Sequence, residues 1–228
     1  MSEPAVPSSG HIEKFRAIDP ADKGDGRLRS PTFERNSPPI IASLAPWLGG
    51  RAGTVLEIGA GTGQHAGAFS LAFPHLDWWP SDPDPLHRAS IAAWQNALNL
   101  GQRAPLALDA SADWAADPDI SRLGPLAAVI SMNVIHIAPF SVTMGIVAGA
   151  GRTLARGGLL IFYGPFRENG AHTGAGNIAF DKGLRAEDAA WGVRDTADIS
   201  ALATDAGLDF AALIAMPANN RLLIFRKS

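Results

Sequence analysis

A chain of 228 residues, 46% of them apolar and 18% charged, has the composition of an ordinary globular protein with one sizeable core, which excludes disorder along its whole length. Its 19 basic and 22 acidic residues leave a net charge of −3, which offers no general attraction to nucleic acid or an anionic membrane. The absence of cysteine excludes disulfides, thiolate metal sites and a cysteine nucleophile.

Met1 to Gly10 contain prolines and Glu3 rather than a basic stretch followed by an apolar run, and no 18-residue apolar run occurs anywhere. The expectation is a soluble, cytoplasmic chain without membrane contact, monomeric or homodimeric. Pro, Ser, Gly and charge dominate up to about Pro39, with no sustained apolar period. This predicts a partly mobile arm over residues 1–36, placed to act as a lid, and a single domain over 37–228. Ser37-Pro38-Pro39 reads as a cap with prolines at the first helical positions, and Ile40, Ile41, Leu44 and Leu48 form a helical stripe.

Beyond Gly49-Gly50 short apolar runs alternate with helical stretches, as in parallel strands joined by crossover helices. Strands are predicted at Thr54–Ile58, Leu76–Trp79, Pro105–Leu108, Ala127–Met132 and Leu159–Tyr163, with helices starting at Gln64, Pro85 and Val142. Thr196–Ala206 reads as a helix stopped by Gly207, and Phe210–Met216 and Arg221–Phe225 as a hairpin. The fold class is therefore α/β, Rossmann-like: a seven-stranded, mostly parallel sheet with helices on both faces and a C-terminal antiparallel hairpin.

The most informative segment is Glu57-Ile58-Gly59-Ala60-Gly61-Thr62-Gly63-Gln64, a strand that runs into spaced glycines and then a helix. Such glycines let the backbone approach a ligand, although they also occur as plain corners. Asp82, with Pro83 behind it, follows the next strand, where a carboxylate can accept both hydroxyls of a ribose. Asp109 closes the strand after that; its carboxylate, or the amide of Ala110, could read an adenine edge, or Asp109 could simply cap a helix. A dinucleotide fingerprint would put its third glycine where Gln64 stands. That register departs from NAD and resembles the first motif of class I methyltransferases, which bind S-adenosylmethionine (SAM).

The chain is more closely similar to one family in that class, the domain of unknown function 938 (DUF938), whose animal relatives are called methyltransferase-like protein 26. The resemblance rests on Glu34-Arg35-Asn36, the glycine loop through His65, Trp79-Pro80-Ser81-Asp82, Ser90-Ile91, Trp94, Met132-Asn133, Ile135-His136-Ile137 and Tyr163-Gly164-Pro165. It continues through Asn177, Phe180-Asp181, Trp191-Gly192-Val193-Arg194-Asp195 and Met216-Pro217-Ala218-Asn219-Asn220. One departure is Gly59-Ala60, where the family has Ala-Ser. What the resemblance implies is a methyltransferase fold with SAM as cofactor, S-adenosylhomocysteine (SAH) as product and no general substrate assignment.

Methyl transfer depends on positioning and exclusion of water, helped by a base for a protonated acceptor. His136, past the carboxyl end of the fourth predicted strand, is the candidate base, or else a packed, hydrogen-bonded histidine. Tyr163, ending the fifth, could contact the sulfonium and orient an acceptor, or be a core aromatic. Asn133 could bond the cofactor's amino-acid part or cap a turn, and Arg35 suits a carboxylate or a surface ion pair. Asn36 and, in the long connection after strand five, Asn177, Asp181, Trp191 and Arg194 are candidate substrate contacts or supports of the loop itself. His11, His65, His75, His87 and His172 have no paired ligand spacing, and no metal is expected.

The reading with which these features agree is a methyltransferase acting on an oxygen, nitrogen or sulfur atom of a small molecule. A SAM-binding regulatory or assembly subunit without turnover is the alternative, followed by a nicotinamide oxidoreductase.

Overall fold

The chain, seen in a computed structural model describing residues 24–101 and 103–228, winds outward from a central strand β1 (Gly53–Ile58), to one side through β2 (Leu76–Ser81), then to the other through β3 (Leu126–Met132) and β4 (Leu154–Glu168). The expectation for Met1 to Lys23, and His11 with it, lies outside the described residues. These four strands are parallel, and the chain closes with β7 (Leu208–Ala215) and β8 (Asn220–Lys227). The order is β2-β1-β3-β4-β8-β7, with β8 antiparallel to both neighbours. The hairpin thus folds back so that its second strand lies inside, and the reversed strand is one in from the edge.

Two expectations about strands are corrected. Pro105–Leu108 forms a single bridge, Leu106 to Ser81, held by Asp82 N donating to Leu106 O and Leu106 N to Pro80 O, each at 3.0 Å. Pro105 has no N–H to extend that ladder. In contrast β4 is far longer than Leu159–Tyr163: a bulge extends its pairing back to Leu126, and its far end receives β5 (Ala171–His172) and β6 (Arg194–Asp195).

Strand residues alternate between two packed layers. Leu56, Ile58, Val129, Leu160 and Phe162 face α5 (Phe140–Thr153) and α7 (Thr196–Asp205), while Val55, Ala128, Ile130, Ile161 and Tyr163 face α1 (Phe33–Leu48) and α2 (Gln64–Ala72). Ile91 of α3 (Pro85–Ala97) joins the second layer. Among the described residues the other α-helices are a single turn, α4 (Pro118–Ser121), and α6 (Ala175–Glu187), which lies in the connection after β4.

Helix α1 begins one turn earlier than Ser37, because Asn36 N already donates to Thr32 O, and Pro38, Pro39 and Pro46 lie inside it. Residues 33–36 therefore form the first turn of this helix. Residues 27–30 are also tied down: Leu28 N donates to Ser90 Oγ at 2.8 Å and Trp94 Nε1 to Leu28 O at 2.9 Å, with Arg27 and Arg29 against the Trp94 ring. No helix among the described residues is long and apolar enough to cross a membrane.

Candidate active site

β2 and β3 lie on opposite sides of β1, so the sheet's switch point falls past the carboxyl ends of β1 and β3, where the crevice of an open α/β sheet binds ligands. The glycine loop lines it. Gly59 N and Ala60 N both donate to Ser81 O, at 3.0 and 2.9 Å, which ties the loop to the end of β2, and Gly63 N closes the turn onto Ala60 O. Gly59, Gly61 and Gly63 hold φ of +72°, +55° and +84°, a region that penalises side chains. Their surroundings differ. A Cβ on Gly59 would overlap Val134, and one on Gly63 would stand 2.7 Å from Ile91 Cα, whereas one on Gly61 would meet nothing within 4 Å. The outer two glycines are packing contacts and the middle one borders open space.

Asp82 faces this loop. Its Oδ2 accepts from Gly61 N at 2.9 Å, and its Oδ1 accepts from Asp84 N at 2.9 Å and contacts His87 Nδ1 at 3.1 Å. A carboxylate has about four acceptor positions, so three are used and one remains for a ribose hydroxyl. Pro83 is exposed beside it. Glu57, with 1% exposure, turns under the sheet and accepts from Trp78 Nε1 at 2.7 Å. Burial, seconded by the Asp82 charge against the Trp78 bond, pushes its carboxyl up to about 7. Gln64 begins α2, and its side-chain oxygen is taken by Ser30 N at 2.5 Å, so it ties Ser30 to the start of that helix. Asp109 is exposed and accepts from Ser111 N and Ser111 Oγ at 2.9 and 2.6 Å, capping a turn rather than a helix, while Ala110 is buried beneath it.

Across the crevice, Asn133 takes a left-handed conformation (φ +58°) and its N–H donates to Tyr163 O at 2.8 Å. The bend delivers His136, which is 4% exposed, to the end of β4. A Cβ on Gly164 would stand 3.3 Å from the His136 ring and 3.4 Å from Asn133 Oδ1, the Phe180 ring meets the imidazole edge-on at 5.5 Å, and Gly192 N donates to His136 O. Tyr163 is placed elsewhere. Its hydroxyl accepts from Asn220 Nδ2 at 2.9 Å in the layer shared with α1. Burial raises its pKa, against the Asn220 bond and the Arg35 charge. By strand alternation Gly164 faces the opposite way, so Tyr163 and His136 do not meet on one face. Arg35 is exposed and donates to Oδ1 of the buried Asn36 at 3.2 Å.

The connection after β4 uses its polar groups internally. Asp181 Oδ1 accepts from Val193 N at 2.6 Å and its Oδ2 pairs with Arg185 and His172. Burial works to raise its pKa, but these bonds hold it below the usual carboxylate range. Asn177 Nδ2 donates to Thr173 Oγ1, and Trp191 packs with Leu184 and Val193. Arg194 donates to the carbonyls of Ile135, Ala138 and Ala190 and lies over Phe140. Arg194 and the Trp191 cluster, against which Ile137 packs, fix the cover to the loop that carries His136, while Asp181 ties the cover to itself and Asn177 ties it to Thr173 and Asn219.

The sequence reading missed Asp84 and named Ser90 and Gly164 only as part of the family resemblance, without a role. Asp84 had a signal, an Asp before Pro85 at a helix start, and it does cap α3 through Leu86 N. Ser90 donates to Thr62 O at 2.7 Å and braces the loop, a role to which only the family resemblance pointed. Among the described residues no group of three His, Asp or Glu side chains could hold a metal ion.

Fold and crevice together define the Rossmann-like class to which SAM-dependent methyltransferases belong. An O-methyltransferase family protein from Burkholderia thailandensis matches with a TM-score of 0.69 at 18% identity, over 84% of this chain and 56% of that one. Human N-acetylserotonin methyltransferase in complex with SAM matches with 0.64 at 14% identity, over 86% and 53%. PigF with SAH matches with 0.66 at 15%, over 84% and 55%. The chain spans a little over half the length of these solved structures. Within the class, a family model described as "Protein of unknown function (DUF938)" matches residues 27–227, and the chain belongs to that family.

Proposed function

We propose that this protein is a SAM-dependent methyltransferase acting on an oxygen, nitrogen or sulfur atom of a small molecule. The observation that carries the reading is the pairing of Gly61, open on its outer side, with the Asp82 carboxylate at the sheet's switch point. The residues present fit an adenosine-bearing ligand: Asp82 keeps one acceptor position, and the exposed Asp109 and Pro83 flank it. In this reading Gly59, Ala60, Gly61, Asp82, Pro83, Asp109, Ala110 and Asn133 hold the cofactor, with Glu57, Gln64 and Arg35 supporting from behind. Bound there, SAM supplies a methyl group on a sulfonium.

His136 is the base that takes a proton from the acceptor. The close approach of Gly164 and the edge contact of Phe180 restrict its ring, so little orientation is left to chance. Tyr163 and Asn36 act from the α1 side, and Asn177, Asp181, Trp191 and Arg194 keep the cover closed against water. The experiment is calorimetry with SAM and SAH, followed by incubation with isotopically labelled SAM and a metabolite extract and detection of labelled products by mass spectrometry. Saturable binding and a labelled product are expected. Binding without any product would favour the regulatory subunit, and absence of binding would reject the proposal.

A further inference from the structure

Glu57, Asp82 and Asp84 crowd the carboxyl ends of β1 and β2 with exposures of 1%, 4% and 4%. Carboxylates so buried need compensation by charge or hydrogen bonds. Glu57 is held toward its protonated form, as described above. Asp82 and Asp84 lie against His87, which is 8% exposed in the first turn of α3. Arg88 does not compete, since it donates to the carbonyls of Asp82 and Pro83 rather than to a carboxylate. Asp84 spends Oδ1 on the Leu86 N–H, and its buried Oδ2 has no hydrogen-bond partner. Its charge is balanced through space.

The state of His87 follows from opposing effects. Burial and the positive end of α3 both disfavour an imidazolium. Burial is the largest single influence, yet the bond to Asp82 and the charges of Asp82 and Asp84 outweigh it and raise the pKa above the usual histidine value. The 3.1 Å contact from Nδ1 to Asp82 Oδ1 leaves Oδ2 turned toward Gly61 N in the glycine loop.

We propose that His87 is the positioning residue of the nucleoside subsite: its bond and its positive charge hold the Asp82 carboxylate facing the glycine loop, ready to accept a ribose hydroxyl. The proposal rests on the nucleoside reading of the crevice. It makes affinity for a neutral nucleoside highest below the pKa of His87 and lower above it, because a neutral imidazole removes the positive charge beside Asp82 and Asp84. The Asp82 carboxylate is then held less firmly toward the loop. Glu57 ionises near pH 7 in the same neighbourhood and adds a slope of its own, so the diagnostic is a difference between variants.

The test uses the full chain and 5′-methylthioadenosine, which keeps ribose and adenine and carries no group titrating between pH 6 and 9.5. Wild type, His87→Gln and His87→Leu are compared by calorimetry across that range, and the His87 ring is followed by NMR in wild type and in Asp82→Asn. The expected wild-type loss from low to high pH is about tenfold, the scale of one hydrogen bond to a charged group. His87→Gln, which keeps a donor without the charge, loses affinity at pH 6 and has a flatter profile; His87→Leu is weaker still. The ring should titrate above 6.5 in wild type and lower in Asp82→Asn. Equal profiles for wild type and His87→Gln, which does not depend on whether His87→Leu folds, overturn the proposal. So does a ring titration unmoved by Asp82→Asn. If wild type binds neither SAH nor methylthioadenosine, the methyltransferase reading fails as well; SAH binding with His87-independent profiles removes only the role of His87.

Discussion

The three loop glycines allow a contrast that separates packing from binding. Gly61→Ala places a methyl group in open space at φ +55°, so its stability cost is the left-handed penalty alone, about 1–2 kcal/mol. Gly63→Ala carries the same penalty at φ +84° and also sets its Cβ 2.7 Å from Ile91 Cα, a backbone atom of α3 that no rotamer change can move. Overpacking of that kind adds roughly 1–3 kcal/mol. For a domain of this size the first change should lower Tm by roughly 2–8 °C and the second by roughly twice that. Binding should rank the other way. The methyl of Gly61→Ala occupies the side of the loop proposed to meet the cofactor, so SAH affinity should fall by about tenfold or more, whereas the methyl of Gly63→Ala points into α3. Calorimetric melts and SAH titrations at a temperature where both variants are folded provide the measurement. Gly61→Ala with undiminished SAH affinity, or as unstable as Gly63→Ala, would refute the assignment of the open side to a ligand.

Other consequences can be checked alongside. His136→Ala should lower kcat by about 10²–10⁴-fold while SAH affinity changes by no more than a few fold; equal losses in both would make His136 a cofactor contact. Arg194→Met strands the carbonyls of Ile135, Ala138 and Ala190 and should cost about 2–3 kcal/mol in urea unfolding, discounted for partial exposure; no change would dissolve the clamp. Glu57 has a folded pKa raised from 4.5 to about 7, so its contribution to stability is full below pH 4.5, declines as pH rises through 7 and is flat above. The wild-type stability minus that of Glu57→Gln should therefore fall by on the order of 3 kcal/mol across that window, and a difference independent of pH would disprove the burial of an ionisable Glu57.

Legibility in the sequence followed the range of the interactions. The stretch from β1 through the glycines to α2 is governed by local chemistry, in which a buried-type strand, residues tolerant of positive φ and a helix start succeed one another, and it could be read directly. The hairpin was equally local. What escaped reading was decided by partners distant in the chain. Pro105–Leu108 has strand composition but obtains two ladder bonds from β2, and β4 runs on to Glu168 because β5 and β6, each two residues long, come back to pair with it. No window around Gln64 shows that its amide will be claimed by Ser30, 34 residues earlier.

The cover illustrates the same limit for function. Asn177, Asp181, Trp191 and Arg194 have side chains suited to binding a substrate, and in a connection that follows a sheet edge they invite that role. Folded, they face inward: Asp181 is bound to Val193 N, Arg185 and His172, and Arg194 to three carbonyls. A long connection with only a small apolar cluster must satisfy much of its backbone from side chains, and conspicuous polar residues are the ones available for that task. The side chains of this region left facing outward include Phe180, 43% exposed and in edge contact with His136, and Ile178, 56% exposed. Selectivity in an acceptor held under such a cover would come from shape and apolar contact beside a single base rather than from charge pairing, which accords with a reaction whose demands are placement and dryness.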